Sequence, residues 1–273
     1  MTYSKPSTNS LKFEQTSRGA AQCMCTVIYA LILRETTTMY GDRRLGYLWV
    51  IIQTAFNIAV FAGIRYIAGI ANQGSLPVIY FLLIGFTFWN IFSGCINKCL
   101  SAISANGALL EFPHVHPLDV LLARCIVVIT THIVTALFIV AGGIIAGLEF
   151  TINSYSDFII CLGLILLLSI SSAIFIAALN VFYPSVGKIV PYLLRIMFFV
   201  SGVFFSISRF PSHWKTYLEC NPLLNIIENM RGSVSNVFSY TSETRYFGVL
   251  CLSLGFMFFG LLLEQSSHRK FEL

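Results

Sequence analysis

No charged residue stands between Arg44 and Arg65, and this gap constrains the fold more than any other feature of the chain. Arg34, Glu35, Asp42, Arg43 and Arg44 form a polar, basic approach. Tyr47 and Trp49 follow as an aromatic threshold, and an apolar run then continues to Ile64. Tyr and Trp have one wet end and one apolar end, so they gather where charge gives way to hydrocarbon. Gly46 to Ile64 is about 19 residues, which at 1.5 Å per residue approaches the ~30 Å thickness of a bilayer core. The stretch reads as a membrane-spanning helix entered from a basic side.

The rest of the composition agrees. Hydrophobic residues make up 56% of the chain and charged residues 11%, and the mean hydropathy is +0.79. A soluble domain carries roughly a quarter charged residues, so a water-facing surface cannot be built from this sequence. The first residues are polar and lack the apolar core of a secretory signal. The net charge of +5 is read by location, as an orientation signal and not as a nucleic-acid footprint. Eight cysteines occur without any CxxC pair, which points to packing roles and not to zinc or thiol chemistry.

Taken in order, residues 1–21 form a cytoplasmic tail and residues 22–45 an interfacial amphipathic helix. In that helix Met24, Val27, Ile28 and Leu31 fall at i, i+3, i+4 and i+7; the alternative is the start of a kinked first span. Residues 46–264 hold six spans: 46–64, 76–96, about 118–148, 158–182, 189–208 and 246–263. Pro113 should stop a helix near Phe112, and Pro117 suits the first turn of the next. Gly143 and Gly147 make a GxxxG, a spacing that permits close helix contact but is common in Gly-rich spans. Leu223–Ile227, after Asn221 and Pro222, is too short to cross and reads as a re-entrant or interfacial external hairpin. Residues 265–273 are a cytoplasmic C-terminal tail. The expected fold is therefore all-α and polytopic.

Lys and Arg counts set the orientation. Lys5, Lys12, Arg18, Arg34, Arg43, Arg44, Lys98, Arg124, Lys188, Arg195, Arg269 and Lys270 lie on one side; Arg65, Arg209, Lys215, Arg231 and Arg245 lie on the other. That asymmetry places both termini in the cytoplasm, as an even number of spans requires.

No GxxxxGK[ST] occurs, so the chain has no phosphate cradle of that kind. The apolar cores hold no Asp or Glu, whereas ion-driven carriers ordinarily need an intramembrane carboxylate. Energy must then come from a partner, or the protein is passive. The ionisable groups that enter the membrane are basic: Arg65, Arg124, His132 and Arg195. Arg195 either snorkels to cytoplasmic headgroups or lines a path for an anionic substrate. Arg34, Arg43 and Arg44 either anchor anionic lipid or receive an anionic headgroup at the entrance, framed by Tyr47 and Trp49. His114 and His116 are two ligands in an extended segment and do not make a metal site. No cofactor and no catalytic residue is expected.

Leu33-Arg34-Glu35, Tyr40-Gly41 and Leu45-Gly46-Tyr47-Leu48-Trp49 resemble the approach to the first span in permease subunits of ABC-type polysaccharide exporters. Ser104-Ala105-Asn106 with Val115, Pro117 and Asp119 is similar to their cytoplasmic connection between spans two and three. Tyr183-Pro184 with Lys188-Ile189-Val190-Pro191 looks like their fifth-span approach, and Trp214, Asn221-Pro222-Leu223, Glu228 and Arg231 like their external hairpin. The series covers nearly the whole chain and is most similar to the capsular polysaccharide export branch. Gln53-Thr54 departs from the acidic residue and proline expected there, so a straighter first span is anticipated.

The resemblance implies an inner-membrane homodimer joined to two copies of a separate cytoplasmic ATP-binding subunit. It also implies a lipid-linked polysaccharide substrate, a periplasmic adaptor and an outer-membrane exporter. In that scheme Arg34, Arg43, Arg44, Tyr47, Trp49 and Arg195 meet the substrate. Glu111, Phe112 and His114 lie in the connection that receives ATPase movement. Other cargoes within the same mechanism are O-antigen, teichoic acid or a small drug. A passive channel or a membrane assembly scaffold is the reading of a different class.

Overall fold

A computed structural model describes residues 17–40, 46–69, 76–105, 116–207, 210–235 and 243–271. These residues are helical with connecting turns. In chain order the helices are α1 (Ser17–Tyr40), α2 (Gly46–Ile67), α3 (Val78–Leu100), the single turn α4 (Ala102–Ala105), α5 (Pro117–Ile145), α6 (Tyr155–Phe182), α7 (Ser185–Val200), α8 (Ser212–Leu218), α9 (Pro222–Val234) and α10 (Glu243–Phe271). Five of them are long and apolar enough to cross a bilayer: α2, α3, α5, α6 and α10.

Helix starts follow local chemistry. Pro117 opens α5, where its missing N–H costs nothing, and the Asp119 carboxylate accepts from the His116 backbone N–H at 3.1 Å. Ser154 caps α6 and donates to Asp157 at 2.7 Å. Asn221 caps α9 by accepting from the Leu223 N–H at 3.1 Å, with Pro222 as the first helical residue.

α3 is the axis of the bundle. Most of α3 is buried, whereas α2 and α10 are largely exposed. Helices α2, α5, α6, α7 and α9 all pack on it, and α10 lies against α6. At the end that meets α4, Asn180 joins three helices: its amide donates to the Leu100 carbonyl at 2.8 Å and accepts from the Gly187 N–H at 2.7 Å. α1 is a separate helix packed on α5, with Leu31 and Glu35, one turn apart, both buried. Gly143 lets the Tyr80 ring close in, since a Cβ there would meet the Tyr80 hydroxyl at 2.5 Å. Gly147 lies beyond the helix end, so the GxxxG pair does not act as one interface.

One span differs from expectation. The apolar run 189–208 predicts a fifth span, but α7 ends at Val200 and has 16 residues, about 24 Å of helix. Ser201 and Gly202 then turn the chain, with Gly202 at φ +77°, where an L side chain is strained. From Gly202 to Phe205 the backbone is irregular, and the loop expected over 209–245 contains α8 and the buried helix α9. The Pro113 stop signal and residues 70–75 between the first two spans lie outside the described residues.

Candidate functional site

Irregular backbone inside an apolar bundle needs donors for its carbonyls, because no water is there to supply them. Two arginines supply them here. Arg231, on α9, is fully buried. Its Nη1 donates to the carbonyls of Gly202 at 2.8 Å and Phe205 at 3.2 Å, and its Nη2 to Val203 at 2.9 Å. Nε and Nη2 also reach the Phe81 carbonyl on α3, at 3.3 and 3.1 Å. Arg65, in the last turn of α2, donates from Nη1 to the Phe204 carbonyl at 3.1 Å. Four consecutive carbonyls, 202 to 205, are thus held by side chains from two other helices.

Charge in this cluster is partly balanced. Glu228, one turn before Arg231, accepts from its Nη1 at 3.1 Å and from the Ser206 hydroxyl at 2.8 Å. The Phe81 ring faces both cations, with guanidinium carbons 3.5 Å (Arg231) and 4.6 Å (Arg65) from its centroid. Gly85 makes the space: a Cβ there would lie 2.9 Å from Arg231 Nη2 and 3.0 Å from the Val203 Cα.

An aromatic cluster adjoins this clamp. Phe204 lies against Phe61 of α2 (4.4 Å between centroids) and edge-on to Phe198 of α7 (4.9 Å), and Phe198 meets Trp89 of α3 at 5.3 Å. The clamp and the rings together tie α2, α3 and α7 to one irregular segment. The outward faces of α2 and α7 are exposed, at Trp49, Phe56 and Ile64 on one and at Tyr192, Ile196 and Phe199 on the other.

The structure separates the residues that the sequence groups together. Arg34 is exposed on α1, Trp49 is exposed near the start of α2, and Tyr47 stands in its first turn. Arg195 is exposed on α7 amid apolar neighbours. Trp214 is exposed on α8, and Asn221 joins the clamp region by donating to the Val200 carbonyl at 3.3 Å. Arg43, Arg44, Glu111, Phe112 and His114 lie outside the described residues. Within the expected hairpin the fold buries Arg231 together with Leu223 and Glu228, so Arg231 is no surface charge. At the other end of the bundle, Arg124 pairs with Glu35 of α1 at 3.2 Å and donates to the Lys98 carbonyl at 2.8 Å. Phe81, Gly85, Gly202 and Ser206 were not among the expected site residues. The available signal for the cluster was the Glu228–Arg231 pair at i, i+3 following the apolar patch Leu223–Ile227.

Residues 26–235 match the family model described as ABC-2 type transporter. The chain is 30% identical over 256 residues to the polysialic acid transport protein KpsM of Escherichia coli, covering 92% of this chain and 96% of that protein. It is 24% identical over 225 residues to the capsule polysaccharide export inner-membrane protein CtrC of Neisseria meningitidis serogroup A, covering 82% and 85%. A similar likeness, 24% over 252 residues, covering 90% and 92%, links it to the capsule polysaccharide export inner-membrane protein BexB of Haemophilus influenzae.

Proposed function

The chain belongs to the ABC-2 type transporter family, and from that premise we propose that it is the permease subunit of an ATP-driven exporter of lipid-linked, acidic capsular polysaccharide. The observation that carries the reading is the alignment over 92% of the chain with a protein named for polysialic acid transport. The motive force comes from a separate ATP-binding subunit, in keeping with spans that lack acidic residues in their apolar cores. Two permease chains and two ATP-binding chains form the inner-membrane unit, and a periplasmic adaptor and an outer-membrane exporter continue the route.

In this reading α7 serves as the fifth of six membrane-inserted helices, and α8–α9 form a re-entrant hairpin on the external side. Both termini are cytoplasmic. Arg65 and Arg231, counted on the external side, are engaged inside the bundle, which sharpens the Lys/Arg asymmetry. Arg34, Arg43, Arg44, Tyr47 and Trp49 form the substrate entrance, and Arg195 on the exposed face of α7 meets the anionic polymer further along. Glu111, Phe112 and His114 belong to the connection that follows the ATPase.

The test is to neutralise the entrance with Arg43→Gln and Arg44→Gln together and to measure surface polymer and membrane-inserted protein. Export should fall several-fold with insertion unchanged. Unaltered surface polymer would remove these residues from the route. If the chain purified with no ATP-binding subunit, and transport did not depend on ATP, the exporter reading itself would fail.

A further inference from the structure

α5 and α6 are consecutive in sequence, yet α5 packs chiefly on α3 and α6 on α10 and α3, with little contact between the two. The wedge between them encloses a cavity of about 310 Å³, whose floor includes Leu83, Thr87 and Ile91 of α3 and whose walls include Ala136, Leu137 and Phe158. Thr87 is the single polar side chain in the lining. Leu137 is itself 64% exposed, so the cavity opens to the outside of the bundle. Phe150, in the α5–α6 connection, closes one end, and Met230, next to Arg231 on α9, forms part of the inner wall.

The side chains around a space of this size lack packing partners on one side, and water finds almost no polar partner there. The surface beside the opening is apolar, with Phe138 and Ile159 exposed on either side. In a bilayer that surface meets hydrocarbon, and the cavity is continuous with it. We propose that this cavity seats one fatty-acyl chain of a bilayer phospholipid, drawn from the leaflet that meets the α5–α6 connection. The acyl chain completes the packing behind Met230 and so braces the helix that carries Arg231. The site lies on α3, α5 and α6, away from the exposed faces of α2 and α7, and the proposal does not depend on what the protein exports.

The experiment uses the full chain in phosphatidylethanolamine vesicles containing a phosphatidylethanolamine with a photoreactive diazirine in one acyl chain. After illumination, peptides carrying the floor residues Leu83–Ile91 should be labelled despite their burial. Ala136→Phe should reduce that labelling several-fold while leaving labelling at the exposed Phe259 of α10 unchanged; Thr87→Leu serves as a second filling variant if the first does not fold. Filling should also make the melting temperature insensitive to delipidation, which lowers that of the parent chain. Labels confined to Phe138 and Ile159, as expected if a second protein chain covers the opening, would overturn the proposal. So would floor labelling that filling leaves unchanged. If protein taken with its native lipids carried a tightly held phospholipid only when the host makes polymer, the occupant would be the cargo's lipid and the proposal would also fail.

Discussion

Arg231 occupies a position where α3 and the segment after α7 offer backbone carbonyls and its own helix offers one carboxylate. Its planar fork reaches five acceptors at once, which a lysine ammonium with three donors on a flexible stem cannot do. Arg231→Met should therefore leave Glu228 and four carbonyls without their donor and cost about 3–5 kcal/mol, the range for breaking a buried pair. Arg231→Lys should recover little of this. Thermal unfolding in detergent reads both, and a lysine variant that melts with the parent would refute the clamp. Gly85→Ala tests the same site from the other side. The added methyl meets Val203 backbone at 3.0 Å and the Arg231 guanidinium at 2.9 Å, and overpacking of this kind costs about 1–3 kcal/mol. A Gly85→Ala chain of unchanged stability would mean that the segment after α7 has room to yield.

Among the elements, the apolar helices were legible in the sequence and the ends were less so. Long apolar runs mark α2, α3, α5, α6 and α10, because a helix that satisfies its own backbone needs only apolar side chains to sit in lipid. Pro117 likewise announces the start of α5. The run 189–208 misleads for a physical reason. Residues 201–207 remain largely apolar, yet their backbone leaves the helix because donors arrive from Arg231 and Arg65, distant in sequence. Hydropathy records side chains and is blind to such donors. The α1–α5 contact was also hidden, since Glu35 and Arg124 are 89 positions apart. Glu35→Gln should loosen α1 alone: amide exchange across residues 26–38 should quicken while α3 and α6 stay protected. Uniform protection in that variant would show that Leu31 and its neighbours hold α1 without the ion pair.

For the whole molecule, the arrangement around α3 means that α2, α5, α6, α7 and α9 share one support. Accessibility labelling of engineered cysteines near residues 5 and 270 should find both on the same face of the membrane, and opposite faces would contradict the proposed topology. The clamp has a further consequence in time. A ribosome delivers the chain from its N-terminus, so the Phe81 carbonyl and the carbonyls of 202–205 are synthesised before the residue that satisfies most of them. The socket is built first and its plug emerges last, which makes the arrival of residue 231 a checkpoint in biogenesis: nascent chains stalled short of it carry a polar wound that marks them as unfinished.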